Sequence, residues 1–489
     1  MRSRAGWLLS GFAVVLLLAL AAVVRGDHGG AVHSDNMRLV GTFDDGGKYR
    51  TGTDLAFWGD TMIAGNLDQG TGPNATPAGG FRVMDISEPT SPRKVGQFVC
   101  WGDQSDVSVW KDLVVVSVDK PTTQDCSAQS GSWEGVRVVS IADPANPVML
   151  GSVATDCGSH TNTIYPDLEN DRLLVYVLSY PLAGRYNPAG ALPTCNAASH
   201  RKFSVVEVPF DDPGNPRVLR TVPLETNIGC HDVTLFLERK LAAAACLTES
   251  QIWSLEDPAQ PKIVARIPNP PGLNLSHSTV FSNDGRTLVV GDELGGAAAS
   301  PGCLTGDQRD VAGGLFFFDA TDATAPRYLT AYKLPQRRIS EFCTAHLFNV
   351  VPLRSDEDIL VSSWYTGATS VIDFTGVRKG QAPTQLAHYI PAGTVTPDEQ
   401  PTEAAAWASY WYRGHVWSSN FDEDVNSLKP RSRGLDVFAV DLPVLRKAIR
   451  LNRLNPQVQE PLPGKPAEKK APRAKRKAGA PSKRRAARR

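Results

Sequence analysis

The sequence predicts an all-β fold, a seven-bladed β-propeller, from three observations. A strand-and-turn unit recurs seven times, further strands precede each unit, and the strand missing from the last copy stands ahead of the first. The clearest unit is Phe81–Ile86, an alternating strand, followed by Glu88-Pro89-Thr90-Ser91-Pro92 and a second strand, Lys94-Val95-Gly96-Gln97-Phe98. It recurs as Val136–Ile141 with Asp143-Pro144-Ala145-Asn146-Pro147, and as Phe203–Val208 with Asp212-Pro213-Gly214-Asn215-Pro216. Ile252–Leu255 is followed by Asp257-Pro258-Ala259-Gln260-Pro261, and Leu315–Asp319 by Asp322 and Pro326 at the same spacing. Degenerate copies lie at Ser370–Phe374 and Leu435–Val440. Proline fixes φ and cannot donate to a ladder, so the paired prolines belong between two outer strands.

Two more strands precede each unit. Ser278–Phe281 and Thr287–Val290 flank Asn283-Asp284-Gly285, a hairpin signal. Seven four-stranded antiparallel sheets make a propeller, which hides most sheet edges. Leu39-Val40-Gly41-Thr42-Phe43 matches the fourth-strand motif but precedes the first full copy. The N-terminal strand is therefore predicted to complete the seventh blade. The propeller is assigned to residues 37–442, with a short amphipathic helix and linker over 443–462.

The ends differ from the body. Arg2 and Arg4 precede an apolar run, Trp7–Val24, and small residues follow. Residues 1–26 read as a secretory signal peptide and 27–36 as a leader, although the run is long enough for an uncleaved anchor. Eight cysteines behind such a signal favour disulfides. The expected pairs are Cys100–Cys126, Cys157–Cys195, Cys230–Cys246 and Cys303–Cys343. The expected location is secreted or extracytoplasmic, in the cell envelope.

The chain has zero formal charge, but residues 463–489 hold 12 Lys and Arg against the single acid Glu468. That tail is +11, which leaves −11 on the remainder, and its composition predicts disorder. A solvated spacer and adhesion to an anionic envelope polymer or membrane surface both fit such a tail. It has no aromatics for base stacking, so sequence-specific nucleic-acid binding is not expected. A monomer is expected.

The innermost strand of each blade starts at a comparable place. These starts read Thr53-Asp54-Leu55, Ser105-Asp106-Val107, Ser159-His160-Thr161, Cys230-His231-Asp232, Ser276-His277-Ser278, Ala345-His346-Leu347 and Thr402-Glu403-Ala404. One end of the channel should thus collect His160, His231, His277 and His346 from four consecutive blades. Asp54, Asp106 and Glu403 should face them. Four of the nine histidines share this position. Imidazole suits copper, zinc, iron or nickel, and three or four such ligands make a site. A copper or zinc ion is the expected cofactor, and a water-filled polar funnel is the competing reading. A small molecule could also bind at this mouth. His415 falls at the start of a second strand and belongs to the opposite rim.

The alternating strand with its Asp-Pro-x-x-Pro turn resembles the LVIVD-repeat family of secreted propellers over Met37–Leu442. That resemblance implies fold and export, with no settled activity. The channel histidines are distantly similar to those of selenium-binding proteins, which include methanethiol oxidases that use copper. No nucleophile elbow, phosphate loop, HExxH or EF-hand loop occurs. Two functions follow as expectations. One is an extracytoplasmic metalloenzyme, an oxidase or hydrolase. The other is a non-enzymatic scaffold with a polar channel and an adhesive tail.

Overall fold

A computed structural model describes residues 30–44, 51–67, 79–127, 131–180, 199–225, 228–294, 311–335, 343–392, 402–424 and 431–463. The signal segment, the tail beyond 463, Cys195, Cys303 and the side chain of Glu403 lie outside the described residues. Seven antiparallel sheets form a closed ring, because each innermost strand touches the next and the seventh touches the first. Those innermost strands are Thr51–Trp58, Val107–Trp110, Thr161–Asp167, Asp232–Phe236, Ser276–Phe281, Phe348–Val350 and Thr402–Tyr412, in blades one to seven.

The seventh blade closes as the repeat requires. Met37–Phe43 pairs antiparallel with Arg431–Val440, from Met37 opposite Val440 to Phe43 opposite Leu435. All seven pairings of third and fourth strands carry a register shift. Such bulges raise local twist, and their recurrence gives every blade the same curl. The motif glycines explain how blades dock. A Cβ on Gly41 would lie 2.2 Å from the Pro89 carbonyl oxygen, and one on Gly96 would lie 2.0 Å from that of Pro144. At these two positions the fourth strand packs so closely against the proline turn of the next blade that only glycine fits.

The core lies between blades. Phe203 stacks on Trp253 of the next blade with centroids 4.6 Å apart, and Phe317 meets Phe374 at 5.6 Å. Two terminal segments depart from expectation. In the leader, Val32–His33 adds a fifth strand to blade six, opposite Ile390 and Tyr389. The helix expected after Leu442 is a single 3-10 turn, Leu445–Lys447. Pro456 and Pro461 and the alternation Asn455, Gln457, Gln459 do not suit a helix. Instead the chain runs extended across the far end of the channel. Arg453–Leu454 pairs with the end of the innermost strand of blade one, and Val458–Gln459 with that of blade four.

Candidate metal centre

The starts of the innermost strands define an upper face. His160, His231, His277 and His346 all lie there, each at most 5% exposed, in an unbroken series of ring contacts. Ring centroids are 4.5 Å apart for His160–His231, 3.7 Å for His231–His277 and 4.5 Å for His277–His346. Strand starts place the side chains, and adjacent blades bring them within reach of each other. His231, His277 and His346 share a neighbour, Glu293, which the strand-start alignment missed. Nitrogens of His231 and His277 and a Glu293 oxygen all lie within 4.8 Å of one another. His277 Nε2 is 3.5 Å from Glu293 Oε2, and His346 Nε2 is 3.8 Å from Glu293 Oε1.

The proton inventory shows what this arrangement lacks. Burial holds the imidazoles of His231 and His277 well below the ordinary histidine range, and brings His346 to about 3. These rings are therefore neutral, with one N–H and one lone pair each. The Nδ1–H of His346 donates to the Trp407 carbonyl at 2.5 Å, because a carbonyl can only accept. Its Nε2 lone pair then faces a carboxylate oxygen that already accepts from Tyr365 OH at 2.7 Å. Two acceptors confront one another, and a cation between them removes the conflict.

His231 gives the same indication. His160 Nδ1 pairs with Asp119 Oδ2 at 2.7 Å, and His160 Nε2 lies 2.9 Å from His231 Nε2. The buried Nδ1 of His231 has no direct hydrogen-bond partner among the described residues. His160 thus stands one step out, held by Asp119, as an orienting neighbour of His231. His231, His277 and Glu293 form a group that could hold a metal ion, with His346 Nε2 beside the same carboxylate.

The predicted carboxylates divide. Asp54 and Asp106 line one small chamber with His231, His277 and His346, joined by Asp232. Asp54 accepts from Leu55 N and Gln457 Nε2 at 2.7 Å and from Tyr410 OH at 2.5 Å. Asp106 accepts from Asn162 N at 2.7 Å. Burial raises both carboxyls, and for Asp106 the charge of Asp54 adds to it. Burial, then Asp54, brings Asp232 to about 7. These acids form the floor of the chamber beneath the imidazoles. Glu403 is in the long innermost strand of blade seven, opposite Glu423. At the site itself, blade seven supplies Trp407, whose ring packs edge-on against His346 at 4.8 Å. His415 starts the second strand of that blade, on the far rim.

Glu293 and Tyr365 lie just past the ends of second strands, and Asp119 lies in the last few residues of another. In an antiparallel blade that end adjoins the start of the first strand, so aligning second-strand ends as well would have found them. Tyr365 has φ +45°, an uncommon conformation for a bulky residue, in a turn whose Tyr365 carbonyl accepts from Ala406 N. The disulfides staple this face. Cys100–Cys126 and Cys230–Cys246 are bonded, the latter adjacent to His231. Cys157 and Cys343 are also disulfide-bonded. Such bonds suit an oxidising compartment. Among the described residues no helix is long and apolar enough to cross a membrane.

No protein-family profile matches the sequence, and no curated protein does. Several solved structures are similar to this chain at low sequence identity. Sqt1 from Chaetomium thermophilum is 13% identical with TM-score 0.49, over 84% of this chain and 100% of that one. A functionally unknown protein from Desulfotomaculum acetoxidans is 11% identical with TM-score 0.42, over 68% of this chain and 88% of that one. A protein from Lactobacillus plantarum is 12% identical with TM-score 0.42, over 83% and 100%. These likenesses concern the fold alone; what is established of this chain is a seven-bladed, disulfide-bonded β-propeller with a buried His/Glu cluster at one end of its channel.

Proposed function

We propose that this chain is a secreted propeller of the LVIVD-repeat type that binds one copper or zinc ion at its upper channel mouth. His231, His277, His346 and Glu293 are the ligands, and His160 with Asp119 orients them. The observation that carries this reading is the opposed pair of acceptors, His346 Nε2 and Glu293 Oε1, 3.8 Å apart in a buried site. The chamber beneath the imidazoles has room for about one water molecule. An ion there could polarise such a water above a floor of carboxyls whose proton affinity burial raises, which is the setting of an extracytoplasmic hydrolase or small-molecule oxidase.

Elemental analysis of protein purified without a histidine tag tests the reading. One equivalent of copper or zinc is expected, and His277→Ala should lose it while keeping its fold. A folded, untagged protein that takes up neither ion when both are supplied would refute the site.

The tail supports a second role compatible with the first. With 12 basic residues and one acid it suits adhesion to an anionic envelope polymer or membrane surface, leaving the propeller as a displayed scaffold. Removing residues 464–489 should weaken that binding in a salt-dependent way. Equal binding by full-length and truncated chains at low salt would reduce the tail to a spacer.

A further inference from the structure

The innermost strand of each blade has one edge toward the axis, with backbone groups that need partners. At the far end of the channel the C-terminal segment supplies them. Leu454 pairs with Phe57 in blade one, and four residues later Val458 pairs with Leu235 in blade four. Blades one and four lie on opposite sides of a seven-membered ring. The short segment between these pairings therefore crosses the channel, a span of roughly 13 Å at 3.3 Å per extended residue.

Side-chain amides complete the crossing. Asn455 accepts from Val109 N at 2.7 Å and donates to Val109 O at 2.9 Å, standing in for a neighbouring strand in blade two. Gln459 does the same for Phe281 in blade five, at 2.8 and 2.7 Å. Between them Gln457 reaches up the axis and donates to Asp54 on the chamber floor. The strap is clasped at both ends. Arg453 pairs with Glu460 through two contacts of 2.6 Å and lies over the rings of Trp58 and Trp110. Arg354 donates to the Pro463 carbonyl at 3.0 Å.

We propose that residues 453–463 are a plug that seals the far end of the channel, so that the upper mouth is the sole route to the histidine site. Displacing the strap opens a second route through the chamber floor. The proposal rests on the metal-centre reading for one of its two readouts only.

The experiment compares the intact chain with the triple variant Asn455→Ala/Gln457→Ala/Gln459→Ala and with a chain ending at Leu442. The first readout is carbethoxylation of His160, His231, His277 and His346 by diethylpyrocarbonate in metal-free protein. The second is the rate of zinc transfer to a soluble chelator. Both should rise by about tenfold or more in a folded variant, because a closed route has become an open one. Rates within about twofold of the intact chain, with unchanged circular dichroism, would overturn the plug. If the truncated chain does not fold, the triple variant decides. If the intact chain takes no zinc, the metal reading fails, and carbethoxylation still decides the strap.

Discussion

The two ends of the channel are built by different means. The upper end is assembled from equivalent positions in the repeat, and the residue at that position changes from blade to blade: aspartate in blades one and two, histidine in blades three to six. The lower end is made by one non-repeating segment that reaches blades one, two, four and five with backbone pairing and amides. A ring scaffold thus varies one position per blade to create chemistry, and uses a terminal strap to satisfy edges that the repeat leaves open. Substitutions at the upper end should change ligand binding more than stability, and those at the lower end the reverse.

The largest expected effect breaks the ring that both ends share. Deleting Met37–Phe43 removes the fourth strand of blade seven, exposes the edge of Arg431–Val440, and should cost at least about 5 kcal/mol. Denaturant unfolding measures it, and an unchanged midpoint would contradict closure by this strand. At the upper end, Glu293→Gln should weaken zinc binding by about a hundredfold, while Asp119→Asn, acting through His160, should cost about tenfold. Calorimetric titration ranks them; equal losses would place Asp119 closer to the ion than the geometry does.

At the lower end, Asn455→Ala leaves Val109 N–H and C=O without their partner and should cost about 2 kcal/mol with zinc affinity unchanged. A fall in affinity larger than the fall in stability would break the division between the two ends. The smallest expected effect is a gain at the same rim. Burial, then the charge of Asp284, raises Asp358 to about 7. A carboxyl raised in the folded state gives its full stabilisation below the unfolded value near 3.8 and loses it as pH rises through 7. Asp358→Asn, which stays neutral, should therefore gain about 1–2 kcal/mol at pH 8 and almost nothing at pH 4. A gain independent of pH would show that the carboxyl is not the cause.

The two ends also differed in how far the sequence revealed them. The Asp-Pro-x-x-Pro turns repeat, so blade number, closure by Met37–Phe43 and the four histidines could be read by aligning copies. Glu293 and Asp119 escaped because only first-strand starts were aligned, although antiparallel pairing brings second-strand ends to the same face. The strap escaped for a different reason. Asn455, Gln457 and Gln459 alternate as a strand does, but no partner strand lies near them in sequence. Their pairing to Val109, Asp54 and Phe281 exists only once the ring has closed.

X-ray absorption at the copper or zinc edge, on protein loaded with one equivalent, tests the metal centre most directly. The expected result is a first shell of about four nitrogen or oxygen atoms at roughly 2.0–2.2 Å, with outer-shell scattering from three imidazoles. His277→Ala should lower the imidazole count by one. A shell of water oxygens without imidazole scattering, or a spectrum unchanged in His277→Ala, would contradict an ion held by His231, His277, His346 and Glu293.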